Sequence, residues 1–182
     1  MSSPKVQETN IKENFWEKHE IILITVGALI LAGLFLAVVV NRAWVSDDSY
    51  ITFRVVENFN NGFGLRWNVT ERVQVFTHPL WLLLVSGFRA LTGEVYLTSI
   101  FLSIGLSVAV VMLFYRIKPG HPAILVGILL LALSGAYVDY STSGLENALS
   151  HFLLVVFLLV YLREKESVNE KRIFWLSLVA AF

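Results

Sequence analysis

The 182-residue chain is 56% hydrophobic and only 15% charged, with a mean hydropathy of +0.68. That balance excludes an ordinary water-soluble globular domain. Lys plus Arg and Asp plus Glu both number 14, giving zero formal net charge, so there is no basic excess to hold a polyanion and no nucleic-acid partner is expected. The absence of cysteine removes disulfides, thiolate metal sites and thiol nucleophiles.

Residues 1–20 mix Lys5, Lys12 and Lys18 with Glu8, Glu13, Glu17 and Glu20. They lack an apolar periodicity long enough to fold alone and read as a cytoplasmic tail. From Ile21 to Val40 no charge occurs, and about twenty such residues cover about 30 Å of hydrocarbon. This is the first transmembrane span, taken to run over 21–44. A cleaved signal peptide is the competing reading. The length of the run, the mixed charge of the leader and the lack of a small-x-small site before Ser46 argue against it.

Three further mostly apolar segments, 95–115, 122–138 and 145–162, are long enough to span. A fifth, 173–182, covers only about 15 Å of helix. Residues 21–182 are therefore expected to be the N-terminal part of a longer membrane domain, with a short interfacial helix as the alternative for 173–182. Between the first two spans, PLWLLLVSGFRALTG from Pro79 is apolar but short and contains Arg89, which suits a re-entrant or interfacial helix. With that segment not crossing, the tail, the turn with Arg116 and Lys118, and the loop with Arg163, Lys165, Lys171 and Arg172 share one side. Nine of the 14 cations then lie on one face, which places the N-terminus in the cytoplasm and loop 45–94 outside.

In that loop Ser46, Asp47 or Asp48 can cap a helix ending near Asn60-Asn61-Gly62. Ile51, Phe53, Val55, Val56 and Phe59 share one helical face, and Arg54, Glu57, Asn58 and Asn61 the other, the pattern of an amphipathic helix lying on the membrane. Asp47 falls on the polar side, whereas Asp48 points to the apolar side unless it is the cap. Two readings of the pair stand. Anions at a helix N-terminus are stabilised by its dipole; a carboxylate at a low-dielectric boundary beside a second acid can also take a proton from a hydroxyl. Paired oxygen ligands suit a hard divalent cation too, although no cofactor is firmly implied.

Further along, Gly62 and Gly64 provide turns, and Arg66 and Arg72 provide cations. His78 before Pro79 is either a switchable acid or phosphate donor, or a polar tether where the chain re-enters the interface. The triplet Asn68-Val69-Thr70 matches a glycosylation sequon and receives no role. The second external turn, DYSTSGLEN at 139–147, puts Glu146 near the start of a span, where an acid is costly unless used or paired. Alternatively Ser143 caps that helix and Glu146 closes a capping box. Asp139 and Glu146 face the same leaflet as Asp47 and Arg54, so a shared cleft is expected.

The stretches DDSYITFRVVENFNNGFGLRWN, ERVQVFTHPLW and STSGLENAL, with an acidic pair directly after the first span, resemble the GT-C class of integral-membrane glycosyltransferases. Within it they are most similar to the arabinofuranosyltransferase-like group. The similarity covers about residues 20–165. It implies an all-α, polytopic transmembrane bundle whose extracytoplasmic first loop carries interfacial helices. It further implies a polyprenyl-phosphate sugar donor, a glycan, lipid or protein acceptor, and Asp47 or Asp48 activating the acceptor hydroxyl. Arg54, Arg66 and Arg72 are then candidates for the donor phosphate, with lipid-headgroup anchoring as their other reading. His78 and Glu146 complete the candidate substrate-binding set. Full-length members of the class have many more spans and usually a C-terminal extracytoplasmic portion. The chain's richness in Phe, Ile and Asn leaves the sugar, hexose or pentose, open.

The expected setting is a bacterial inner or plasma membrane. A transport component is disfavoured because polar residues are scarce at mid-depth in the later spans. A non-catalytic membrane scaffold stands as the rival reading.

Overall fold

The structure, a computed structural model, describes residues 4–71, 73–163 and 170–181, leaving aside the side chains of residues 4–17, Arg163 and Arg172. Among the described residues all regular structure is α-helical: α1 (Pro4–Asn41), α2 (Ser49–Asn60), α3 (Pro79–Thr92), α4 (Tyr96–Ile117), α5 (Ala123–Leu133), α6 (Gly135–Tyr140), α7 (Asn147–Arg163) and α8 (Glu170–Ala180). Two stretches, Lys18–Asn41 of α1 and α4, are long and apolar enough to cross a membrane. α3, α5 and α7 are apolar but shorter.

Helix α1 continues without a break back to Pro4, so the segment read as a tail is helical over residues 4–20. The apolar stretch nucleates the helix, and each residue added in front then costs little. The 122–138 segment, expected as one span, is two helices. Ser134 takes an extended conformation, ends α5, and offers its hydroxyl to Tyr137 N at 3.4 Å as the cap of α6. Serine competes for nearby backbone N–H groups in this way, and hydropathy alone does not register it. α5 by itself reaches only about 16 Å.

Helix α3 begins at Pro79, favoured in a first helical turn, and ends where Gly93 adopts φ 78° and donates its N–H to the Arg89 carbonyl at 2.8 Å. Its 14 residues span about 21 Å, in keeping with a helix that does not cross.

Two apolar clusters organise the packing. The first joins Phe35 and Val39 of α1, Val110 and Val111 of α4, Ile124 and Ile128 of α5, and Tyr137 of α6. The second joins Val55 and Val56 of α2, Trp81, Leu82 and Val85 of α3, and Leu149 of α7. The apolar side of α2, expected to rest on lipid, is instead largely taken up by α3. Phe53, Val55 and Val56 are buried, while Ile51 and Phe59 stay exposed. Consecutive Val55 and Val56 widen the apolar stripe enough to be met by a second helix.

On the outside, Leu23, Leu29, Ile30 and Leu34 of α1 and Leu97, Phe101 and Met112 of α4 are exposed. Only 17% of the apolar stretch of α1 is buried, against 39% for α4. Apolar surface on this scale suits hydrocarbon and would drive association in water.

Helix α4 packs most extensively on α7. Ser99, Ser103 and Ser107, spaced one turn apart along α4, are all fully buried. Small residues in such a row let helix backbones approach closely where no hydrophobic force drives them together. Ser99 donates to the Tyr96 carbonyl at 2.8 Å, whereas the hydroxyls of Ser103 and Ser107 have no hydrogen-bond partner.

Their size, then, is what the packing uses. Ser107→Ala is expected to leave stability unchanged or raise it by up to about 1 kcal/mol. Ser107→Leu should lower it by about 1 to 3 kcal/mol through overpacking. Thermal unfolding of the detergent-solubilised protein distinguishes the two directions.

Candidate functional site

Between α1 and α2 the chain makes a tight turn over Ser46, Asp47 and Asp48. Ser49 N bonds the Ser46 carbonyl, Tyr50 N that of Asp47, and Ile51 N that of Asp48, each at 3.1 Å. Ser49 is fully buried and its hydroxyl donates to the Ser46 carbonyl at 2.5 Å. Both acids are exposed. Asp47 Oδ1 accepts from Asp48 N at 3.1 Å and from the Ser46 hydroxyl at 3.3 Å, which fixes that carboxylate. Asp48 occupies the N-cap position of α2 but makes no capping hydrogen bond with its side chain. The capping explanation of the acidic pair therefore does not use the Asp48 carboxylate, while Asp47 bonds inside its own turn.

This turn rests on a second one. Ser141, Thr142 and Ser143 are completely buried, and Ser46 N donates to the Ser143 carbonyl at 2.8 Å. Trp44 N meets the Thr142 hydroxyl at 3.3 Å, and the Trp44 indole N–H donates to the Asp139 carbonyl at 2.8 Å. From α3 the buried indole of Trp81 donates to the Gly144 carbonyl at 3.0 Å. Gly144 lies at φ 78°, and a Cβ there would stand 2.9 Å from both Cβ and Oγ of Ser49. The two segments singled out in the sequence thus meet through backbone, with glycine at the closest approach. Near the rim, Arg42 Nη1 lies 3.9 Å from Asp139 Oδ1 in an exposed pair, of small energetic weight.

Glu146 is half-buried and its carbonyl accepts from Ser150 N at 2.9 Å, so Glu146 itself, not Ser143, stands at the N-terminus of α7. The expected capping box is absent. Gly144 turns the chain between the two residues, and the Ser143 hydroxyl contacts Leu145 N and the Tyr140 carbonyl at 3.4 Å each.

Arg54 is occupied in holding the loop that follows α2. Its Nε donates to the Trp67 carbonyl at 3.0 Å, its Nη2 to Asn68 Oδ1 at 3.1 Å, and its guanidinium lies 4.5 Å from the centre of the Trp67 ring. Asn58 Nδ2 reinforces the same loop through the Arg66 and Trp67 carbonyls, both at 2.9 Å. Arg66 is half-buried and donates from Nη1 to the Val69 carbonyl at 3.0 Å. Arg72 lies outside the described residues. His78 caps α3, its Nδ1 accepting from Trp81 N at 3.3 Å, which is the tether role. This bond positions the residue whose indole grips Gly144.

Sequence reasoning did not anticipate the ion pair of Glu57 and Arg89, bidentate at 2.9 and 2.6 Å, which ties α2 to α3. The Glu57 hydrogen bond holds the Arg89 guanidinium above its ordinary pKa. A lone arginine inside an apolar helix was the available signal, because such a charge calls for a partner. Trp81 and the burial of the hydroxyl run 141–143 were not anticipated either, Ser143 standing only as a candidate helix cap. The indole N–H as a polar handle and three small hydroxyl residues before a glycine were their traces.

Two grooves lie away from the acids. One of about 540 Å³ runs between α3 and α4 past Phe88, Thr98 and Phe101, and another lies at the far end of α4 and α7. The acids themselves stand exposed on a pinned surface turn. Among the described residues no group of three or more His, Asp or Glu gathers as a metal cluster, so Asp47 and Asp48 offer two ligand residues only. No protein-family profile, curated protein or solved structure matches the chain.

Two substitutions probe the junction. Trp81→Phe strands the buried Gly144 carbonyl and is expected to cost about 1 to 3 kcal/mol. Gly144→Ala adds backbone strain to a clash and should cost about 2 to 4 kcal/mol. Unfolding of the solubilised variants against wild type measures both.

Proposed function

We propose that this chain forms part of a multi-pass membrane glycosyltransferase of the GT-C kind. It moves a sugar from a polyprenyl-phosphate donor to a hydroxyl of a glycan, lipid or protein acceptor on the extracytoplasmic side. In this reading α1, α4, the α5–α6 pair and α7 cross a bacterial inner or plasma membrane, the N-terminus is cytoplasmic, and α2 and α3 lie at the outer surface. The excess of cations at the opposite end of the bundle supports that orientation.

One observation carries the reading: two exposed carboxylates stand on a turn held by the Ser46 N to Ser143 carbonyl bond at 2.8 Å. Asp47, with Oδ1 bonded to Ser46 and Asp48 N, is the general base. It takes the acceptor's proton while the acceptor oxygen bonds to the anomeric carbon, and the bond from that carbon to the phosphate oxygen breaks. The lipid phosphate departs with the electron pair, and fixed cations stabilise the charge it gains. Arg66 and Arg72 serve that phosphate, Arg54 holds their loop, and Glu146 accepts hydrogen bonds from sugar or acceptor hydroxyls.

The second reading is a scaffold, favoured by the local use of Asp47 Oδ1. Transfer from a labelled polyprenyl-phosphate sugar pool, followed in membranes carrying the protein, separates the two. Asp47→Asn is expected to lower the rate about 100- to 10,000-fold at unchanged expression. Equal transfer by wild type, Asp47→Asn and Asp48→Asn leaves the scaffold.

A further inference from the structure

At the end of the bundle opposite the acidic turn, α4 and α7 line an open groove of about 570 Å³. Its walls are Leu113, Ile117, Val156, Leu159 and Val160, and Arg116 stands at its side. Arg116 is exposed and makes no hydrogen bond or ion pair among the described residues. Lys118 follows, also exposed. The start of the apolar stretch of α1 reaches the same end, since the Thr25 hydroxyl lies 2.8 Å from that of Tyr115 and Ile21 packs on Gly120. Lys18 and Glu20 therefore belong to this end, and because Val179 and Ala180 at the end of α8 lie beside Ser150 and Leu153 near the start of α7, Glu170 and Lys171 at the start of α8 belong to it too.

A groove with hydrocarbon walls and an unpaired guanidinium at its side asks two things of one molecule: an apolar chain and an anionic oxygen. Free phosphate meets only the second. A zwitterionic lipid meets both but brings its own ammonium beside Arg116 and Lys118, whereas a net-negative headgroup does not. Arginine suits the phosphate because its planar fork donates two parallel hydrogen bonds.

We propose that the α4–α7 groove binds an anionic diacyl phospholipid, with one acyl chain between the helices, its phosphate on Arg116 and Lys118 adding to the local field. The inference rests on α4 and α7 lying in a bilayer and is independent of the sugar-transfer chemistry.

The test is native mass spectrometry of the detergent-solubilised full chain. It is offered equal amounts of phosphatidylglycerol and phosphatidylcholine with the same acyl chains. Wild type is expected to retain phosphatidylglycerol preferentially. Arg116→Gln should reduce that preference roughly fivefold, and Arg116→Lys should keep most of it. Val160→Trp, which fills the groove, should weaken retention of both lipids. Equal retention by wild type overturns the proposal, as does undiminished preference in Arg116→Gln or displacement of the lipid by glycerol phosphate. If the chain instead stays soluble without detergent and retains neither lipid, the bilayer assignment falls along with the groove.

Discussion

The bond from Ser46 N to the Ser143 carbonyl, 2.8 Å long, belongs to a small polar knot on which the upper end of the molecule depends. Where helices present apolar side chains outward, the irregular backbone joining them must find its hydrogen bonds within the protein. Segments 44–49 and 139–144 do this for each other. Trp44 and Ser46 supply donors, Asp139 and Ser143 supply carbonyls, and the Thr142 hydroxyl closes the set. Ser141, Thr142 and Ser143 are buried completely, so on that side of the knot a lost partner leaves a costly orphan.

This knot also joins elements of the two apolar clusters along the chain. α1 and α6 of the first cluster lead into it, and α2 and α7 of the second lead out of it. Trp81 links the levels: its ring fills the second cluster and its N–H bonds to Gly144. Lower down, the bundle relies on close approach, with the serine row of α4 fully buried. Polar atoms thus serve different ends in the two halves, hydrogen bonding above and small size below.

Much of this was legible from residue order. The charge-free run from Ile21 and the Pro79-to-Gly93 segment mark α1 and α3 because length and terminal residues are local properties, and the Ser46-Asp47-Asp48 start of α2 is equally local. The break at Ser134 was not legible, since its hydropathy neighbours continue smoothly through it. The burial of α2 against α3 was hidden for another reason. An amphipathic stripe declares that something covers it, and lipid and a second helix satisfy it equally well. Of the candidate site, the meeting of the 46–48 and 141–146 segments follows from shared topology. The roles of Arg54 and His78 do not, because cation and imidazole can serve a ligand or the loop beside them, and only geometry decides which.

That geometry also separates the two neighbouring acids. Residues one apart on a turn leading into a helix project in different directions, so Asp47 and Asp48 are poorly placed to act on one atom together. Asp47 has one oxygen bonded to Ser46 and Asp48 N, leaving the other for a hydroxyl proton at a fixed position. Asp48 has no such anchor and no capping bond, so holding its charge in place would require an outside partner. A base that must meet a hydroxyl within hydrogen-bond reach gains from being held before the substrate arrives. An acid that contributes mainly negative field does not need that precision. On this ground the proposed sugar transfer would assign the proton to Asp47 and leave Asp48 to shape the potential around it, a division that follows from the backbone turn rather than from the chemistry of the two identical side chains.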